Sequence, residues 1–432
     1  MVLLVQKQLF RHIDEHILSY LSKWESFSRQ LSQNPSPEKI AILVTELFQR
    51  QGITTRSLTM DHTYIYGKIH TGAPRTLLLY HYYHSPMGNI QDFASIMTCL
   101  AAIDAYQAQI GPLPVNIVWL LDGSDTLSNS ALRNPILEQK EQLQADSCLF
   151  YGKYNIGLVD TDTPLLSLGT KGLLGVELEV QTASTKIHSM HGAVVPNAVW
   201  RLLWAVSSLK STQEEILIDG FYDTLTPIAD EMVELLYKLP DQTQSQIQQY
   251  GIDRFLLGLQ GFQLHYAQLL TPTCTINSIS SGAADPFVYS PHTSIPGQAK
   301  AQLDFHLVPD QDPDDIFDKL QCHLQAQGFD DVKIRKLYTS RPAYTAITDP
   351  FVQMVIRATK IAYGRDPYIL PTTANSYPID PLQQLNLPIV IAQSECITPN
   401  DQSDERFIKS FAASIKQVAM VIEEMAYGNA SA

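Results

Sequence analysis

Residues 117–121, IVWLL, form an unbroken apolar run that stops at Asp122-Gly123. The run has no polar face and is too short for a buried helix, so it reads as a buried strand ending in a loop of acidic and small residues. Residues 76–80, TLLLY, form a second short apolar run, the mark of a parallel-sheet strand, and lead into HYYHSP. Between them, residues 93–106 place Ile96, Leu100 and Ile103 on one helical face. Strand, helix, strand at this spacing is a βαβ unit. In open α/β sheets the chemistry sits beyond the carboxyl ends of the strands. Asp122, Asp125, His81 and His84 therefore stand where a site would be. Asp and Ser are also ordinary turn and cap residues, so Asp125 reads equally as a solvated turn carboxylate or as an acid/base group.

The pattern changes downstream. In residues 174–180 Val176, Leu178 and Val180 alternate with Glu177 and Glu179, as in an antiparallel strand buried on one face. Pro196-Asn197 opens an apolar helix over residues 198–209. Residues 273–279 and 299–308 are again strand-like, 312–327 is a helix stopped by Gly328, and 332–337 alternates. The order β-α-β-β-α-β is ferredoxin-like. A polar, Gln-rich, partly helical insertion over residues 214–270 interrupts it. From Pro350 the α/β character returns, with a helix over residues 351–363, a strand over 387–392 and a final helix from Glu405. The expectation is an α/β domain with a mixed sheet, built from residues 1–172 and 340–432, with an α+β lid inserted over residues 173–339.

Composition excludes some partners. The formal net charge of −14 argues against nucleic acid, which needs clustered Lys and Arg. Five scattered cysteines with no Cys-x-x-Cys pair point to reduced thiols in a cytoplasm. The N-terminal segment, with Phe10, Ile13, Ile17 and Leu21 on one face, is a helix rather than a signal peptide, and no stretch is long enough to span a membrane.

The segments ADSCLF, GTKGLLGVELEV, HSMHGAVVPNAVWRLLWAV, DGFYDTLTP, AQLDFHLVPDQDP and DPFVQMVIRATKIAYG, taken in order, resemble the zinc-dependent exopeptidases and deacylases that include aminoacylase, succinyl-diaminopimelate desuccinylase and carnosine-type dipeptidases. The resemblance implies a catalytic α/β domain with an inserted lid that dimerises. It also implies two zinc ions bridged by an Asp and a water, with a Glu as general base. This chain departs from that ligand set. The His-x-Asp after the first strand is HYYH, which aligns either His81 and Tyr83 or Tyr82 and His84. The bridging Asp falls on Gln91, with Asp92 beside it. The Glu-Glu pair falls on Asp125-Thr126, the next acidic ligand on Tyr151, and the last His on Ile397. Other positions are kept. His188 matches the lid histidine that reaches the substrate carbonyl across the dimer, and Asn197 and Asn277 also match. The lid arginine is replaced by His306, and a glycine-rich stretch by TANSY at 373–377.

These departures imply a degenerate member with no dizinc centre and no cofactor, acting as a binding protein or partner subunit. It would be a homodimer through the lid or a heterodimer with an intact paralogue. Asp125 and His188 would be remnant catalytic positions. His188, Asn277 and His306 would face a small peptide-like ligand, and Tyr82, Tyr83, Tyr151 and Tyr377 would help fill the old cleft. The alternative is a divergent amide hydrolase or acyl-transfer enzyme acting on peptide-like or N-acyl amino acid substrates. It would be metal-free or would hold one zinc ion among His81, His84, Asp92, Asp122, Asp125 and Glu395.

Overall fold

A computed structural model describes residues 2–32, 36–59, 64–83, 92–123, 136–152, 163–281, 294–377, 379–393 and 405–428. The larger unit is an eight-stranded mixed sheet. Its strands are β1 (Thr54–Ser57), β2 (Tyr64–Ile69), β3 (Thr76–Tyr82), β4 (Asn116–Asp122), β5 (Ser147–Gly152), β6 (Leu165–Ser167), β15 (Tyr368–Leu370) and β16 (Ile389–Gln393), in the order β1-β2-β4-β3-β5-β16-β6-β15. The central strands β4, β3, β5 and β16 are parallel, β2 runs against both β1 and β4, and β6 runs against β16 but parallel to β15. The two short apolar runs are thus central strands, and β4 is buried along its whole length.

One face of this sheet carries long helices. They are α1 (Val2–Ser32), α2 (Pro37–Arg50), α3 (Asp92–Gln109), α9 (Pro350–Tyr363) and α11 (Glu405–Tyr427). Their apolar stripes meet Leu77, Leu79, Ile117, Trp119, Leu121 and Leu149 in one core. The opposite face buries Leu78, Tyr80, Val118, Leu120, Cys148 and Phe150 against loops and the short helix α10 (Asp380–Gln383). No helix among the described residues is long and apolar enough to cross a membrane.

The second unit has β8 (Gly172–Gln181), β10 (Thr273–Ser281), β12 (Gln298–Leu307) and β13 (Lys333–Ser340) in the order β10-β12-β8-β13, antiparallel throughout. That is the ferredoxin-like order; two short antiparallel pairs are β7 (Gly169–Thr170) with β14 (Ala343–Tyr344) and β9 (Ile187–His188) with β11 (Ser294–Ile295). Helices α4 (Ala198–Ser207) and α8 (Pro313–Ala326) cover one face, over Leu174, Val176, Leu178 and Val180. Asn197 starts α4 by accepting from the Val199 and Trp200 amides, and Asp312 starts α8 by accepting from Asp314 N–H. On the other face Glu177 is not a solvated strand residue. Lys300 and Arg335 close over it at 3.4 and 3.1 Å, leaving the residue 8% exposed. The polar insertion forms α5 (Asp230–Tyr237), α6 (Thr243–Tyr250) and α7 (Gly261–Leu270), of which α5 and α7 pack towards β6 and β15 rather than into the lid core.

Candidate active-site cleft

Strand alternation assigns each side chain at the carboxyl edge of the sheet to one face or the other. Register pairs His81 with Leu121 and Tyr82 with Asp122. His81 therefore points to the helix layer, together with Leu77, Leu79 and Tyr83. Asp122 points to the opposite face with Tyr80 and Tyr82.

His81 is fully buried. Its Nδ1 lies 3.0 Å from Ser95 Oγ and its Nε2 3.7 Å from Cys99 Sγ, both one turn apart on α3. Its ring stacks on Tyr151 at 5.7 Å with an interplanar angle of 5°. Burial lowers its pKa to about 3, so the imidazole is neutral across the physiological range. Tyr151 continues into the same layer. Its hydroxyl donates to Gln417 Oε1 at 3.3 Å, and Gln417 donates to Thr359 Oγ1 at 2.7 Å.

Asp122 is 1% exposed and accepts a hydrogen bond from Tyr80 O–H at 2.7 Å. Burial first, and the Asp122 carboxylate second, push the Tyr80 hydroxyl well above its ordinary pKa, so it stays a donor. Tyr80, Tyr82, Phe150 and Tyr377 surround this corner with ring centroids 5.0–5.8 Å apart. The four tyrosines expected to fill one cleft are thus divided by the sheet. Tyr83 and Tyr151 belong to the helix-side core, while Tyr82 and Tyr377 line the other face. Tyr83 also lies where a Cβ on Gly123 would fall, 2.2 Å from its Cζ, so only glycine fits directly after Asp122.

The joint between the two units holds His306 and a residue that sequence reasoning missed. Ser376 Oγ donates to Gly172 O at 2.8 Å, so its hydrogen is committed and it accepts from His306 Nδ1–H at 2.8 Å. Burial, helped by Lys171, lowers the His306 pKa, while Asp304 opposes the shift. Lys171 is 1% exposed, and its ammonium donates to Thr271 O at 2.7 Å. Burial lowers its pKa to about 7. The sequence signal was a lone Lys between two glycines at the start of an apolar strand.

His188 and Asn277 lie on the lid and both are exposed. His188 ends the two-residue strand β9 (Ile187–His188), and its Nδ1 accepts from Met190 N–H at 3.2 Å. That leaves Nε2 as the atom available to a ligand. Asn277 sits at a bulge in the edge strand β10. His84, Gln91, Asp125, Thr126, Glu395, Ile397 and the side chain of Asp92 lie outside the described residues.

This arrangement separates two members of the candidate one-zinc set, the side chains of the others lying outside the described residues. His81 and Asp122 cannot share an ion, because the sheet lies between them and both His81 nitrogens face α3. Among the described residues, no group of three or more His, Cys, Asp or Glu side chains could hold a metal ion.

Residues 168–332 match the family model of the peptidase dimerisation domain of M20 enzymes. The β-Ala-His dipeptidase of Mus musculus is 23% identical over 279 residues, covering 63% of this chain and 56% of that protein. The Cys-Gly metallodipeptidase of Saccharomyces cerevisiae is 22% identical over 294 residues, covering 65% and 58%. The matched stretch thus spans little more than half the length of these curated relatives. Among solved structures, an M20 family metallo-carboxypeptidase from Sulfolobus solfataricus superposes with a TM-score of 0.75 at 26% identity, over 89% of this chain and 95% of that one. The dipeptidase Dug1p of Saccharomyces cerevisiae gives 0.79 at 18% identity over 98% of both chains, a likeness of fold. Residues 168–332 thus carry the M20 peptidase dimerisation domain, beside an α/β unit in the two-domain architecture of M20-type peptidases. The described residues do not fit the zinc pair that the resemblance implies. Its first ligand position falls on a strand end where His81 is turned into the helix layer, and a later one falls on Tyr151, which is bonded to Gln417.

Proposed function

We propose that this chain is a non-hydrolytic member of its family, which binds a peptide-like ligand or serves as a partner subunit. The observation that carries this reading is the placement of His81. A metal ligand needs a lone pair directed into the cleft, whereas this imidazole is buried against Ser95, Cys99 and Tyr151. Without a metal, the lid His188 could give a substrate carbonyl one neutral hydrogen bond, far weaker than Lewis-acid polarisation. Exposed Nε2 of His188, Asn277 on the lid and His306 at the joint are the groups we assign to ligand contact. The four described cysteines are unpaired, in keeping with a reducing, cytoplasmic setting.

Assembly through the lid is part of the proposal. Trp200 and Trp204 stack on the outer face of α4, each 57% exposed, and Ile276 and Ile279 are exposed on the edge strand β10. Exposed aromatic patches and bare strand edges mark interaction surfaces. A homodimer through this face is the simplest use of it, and an intact paralogue is the other partner it would accept.

The test is hydrolysis of β-alanyl-histidine, cysteinyl-glycine and an N-acetyl amino acid by zinc-loaded protein. No turnover above a chelator-treated control is expected. Chelator-sensitive turnover abolished by Asp125→Ala would instead support a rearranged site. That second reading has one observation in its favour, the carboxylate of Asp122 held at the strand edge by Tyr80.

A further inference from the structure

The chain carries a formal charge of −14, yet one cleft reverses the sign. It has a volume of about 520 Å³ and lies among α1, the end of α9 and the first turns of α11. Its walls include Arg365, Arg406, Lys409 and Lys416; among the described residues Asp14 is the carboxylate in its lining, and Glu405 pairs with Lys409 beside it. We infer that this cleft binds a small organic anion carrying two or more phosphate groups, of the nucleoside di- or triphosphate class.

The charges are arranged rather than scattered. Arg406, Lys409 and Lys416 are three and seven residues apart, so α11 presents them along one face over about 15 Å. Arg365 joins them from the turn after α9. Lys416 is held in place, 14% exposed, 2.6 Å from Asp14 and 5.1 Å above the Phe10 ring. The Lys409–Glu405 pair is 2.8 Å long but fully in solvent, so it would exchange readily for an anion. The cleft sits at the N-terminal end of a 23-residue helix, whose dipole adds positive potential there.

Size and composition choose the ligand. A cleft of this volume suits one small molecule rather than a polymer. Four cations spread along it match two or three phosphates, each carrying roughly one to two negative charges, better than one carboxylate. The arginine forks donate to phosphate oxygens in bidentate fashion. Tyr363 forms part of the wall, its hydroxyl fixed 2.8 Å from Ser414 Oγ, and offers a ring surface for the organic body.

The experiment is isothermal titration of the full chain with ATP, pyrophosphate and citrate, in 50 mM and then 500 mM NaCl. ATP should bind with a Kd of roughly 10–100 μM at low salt and at least about tenfold more weakly at high salt, as screening requires. The double variant Arg365→Ala/Arg406→Ala should lose about tenfold or more in ATP affinity with an unchanged melting temperature. The control Arg254→Ala, which removes one exposed lid charge, should bind as the parent does. Pyrophosphate binding lost in the same double variant would also support the site. Three results would overturn it: no phosphate ligand binding tighter than millimolar, affinity undiminished in the double variant, or citrate binding as tightly as ATP.

Discussion

His81 and Asp122 are adjacent in any sequence-based list of ligands, and the structure sets them back to back. The separation follows from period-two alternation: in a parallel pair, residues in register share a face, and Asp122 is in register with Tyr82. That much was legible from the two strand patterns. The partners of His81 were not, because Ser95 and Cys99 reach it from a helix whose docking depends on the whole core. Lys171 was hidden for a similar reason, since its burial arises only where the two units meet. Its titration gives a prediction. The folded pKa of about 7 lies below the ordinary value of 10.5, so between these values the unfolded chain binds more protons. Stability from this group should therefore rise as pH increases from 7 towards 10.5, by on the order of a few kcal/mol. Lys171→Met should flatten that rise and change stability at pH 7 by no more than about 1 kcal/mol, because the lost hydrogen bond to Thr271 O offsets the relief of burying a charge. Urea denaturation at several pH values measures both. An unchanged slope would place the titration elsewhere.

At the scale of elements, long periodic segments were readable because a stripe or an alternation repeats often enough to exclude other assignments. The two central strands, the ferredoxin-like order and the helices starting at Asn197, Asp312 and Pro350 all follow from such patterns. The short strands β6 and β15 were not readable. Three residues carry no period, and pairing across the sheet defines them. Gly175 in β8 was equally silent. It sits opposite Tyr338 in register, and the Tyr338 ring occupies the space above it, 2.1 Å from where a Cβ would stand. The Tyr338 hydroxyl then donates to Asp304 Oδ1 at 2.6 Å, bridging strands across the outer face. Gly175→Ala should cost about 1–3 kcal/mol through overpacking, and Tyr338→Ala in the same chain should recover part of that loss. Denaturant midpoints of the two single variants and the double variant measure the coupling. Additive losses would mean that the ring does not depend on the glycine.

At the scale of the molecule, the lid carries the dimerisation domain and the α/β unit carries the altered cleft. The proposed interface on the outer face of α4 contains the exposed, stacked Trp200–Trp204 pair. Trp200→Lys/Trp204→Lys should weaken self-association by tenfold or more in sedimentation equilibrium without unfolding the lid, because neither ring belongs to its core. A dimer of unchanged strength would move the interface to another face. The central claim, that the catalytic-type unit no longer assembles a zinc pair, meets its most direct test in elemental analysis after zinc loading and desalting. Two cations a few ångströms apart need anions between them, since their repulsion is worth several kcal/mol even at an effective dielectric near 20. With His81 and Tyr151 turned into the helix layer, and with the neutral Gln91 at the bridging position that the resemblance implies, the protein should retain at most one zinc per chain. Two tightly held equivalents per chain would contradict the account.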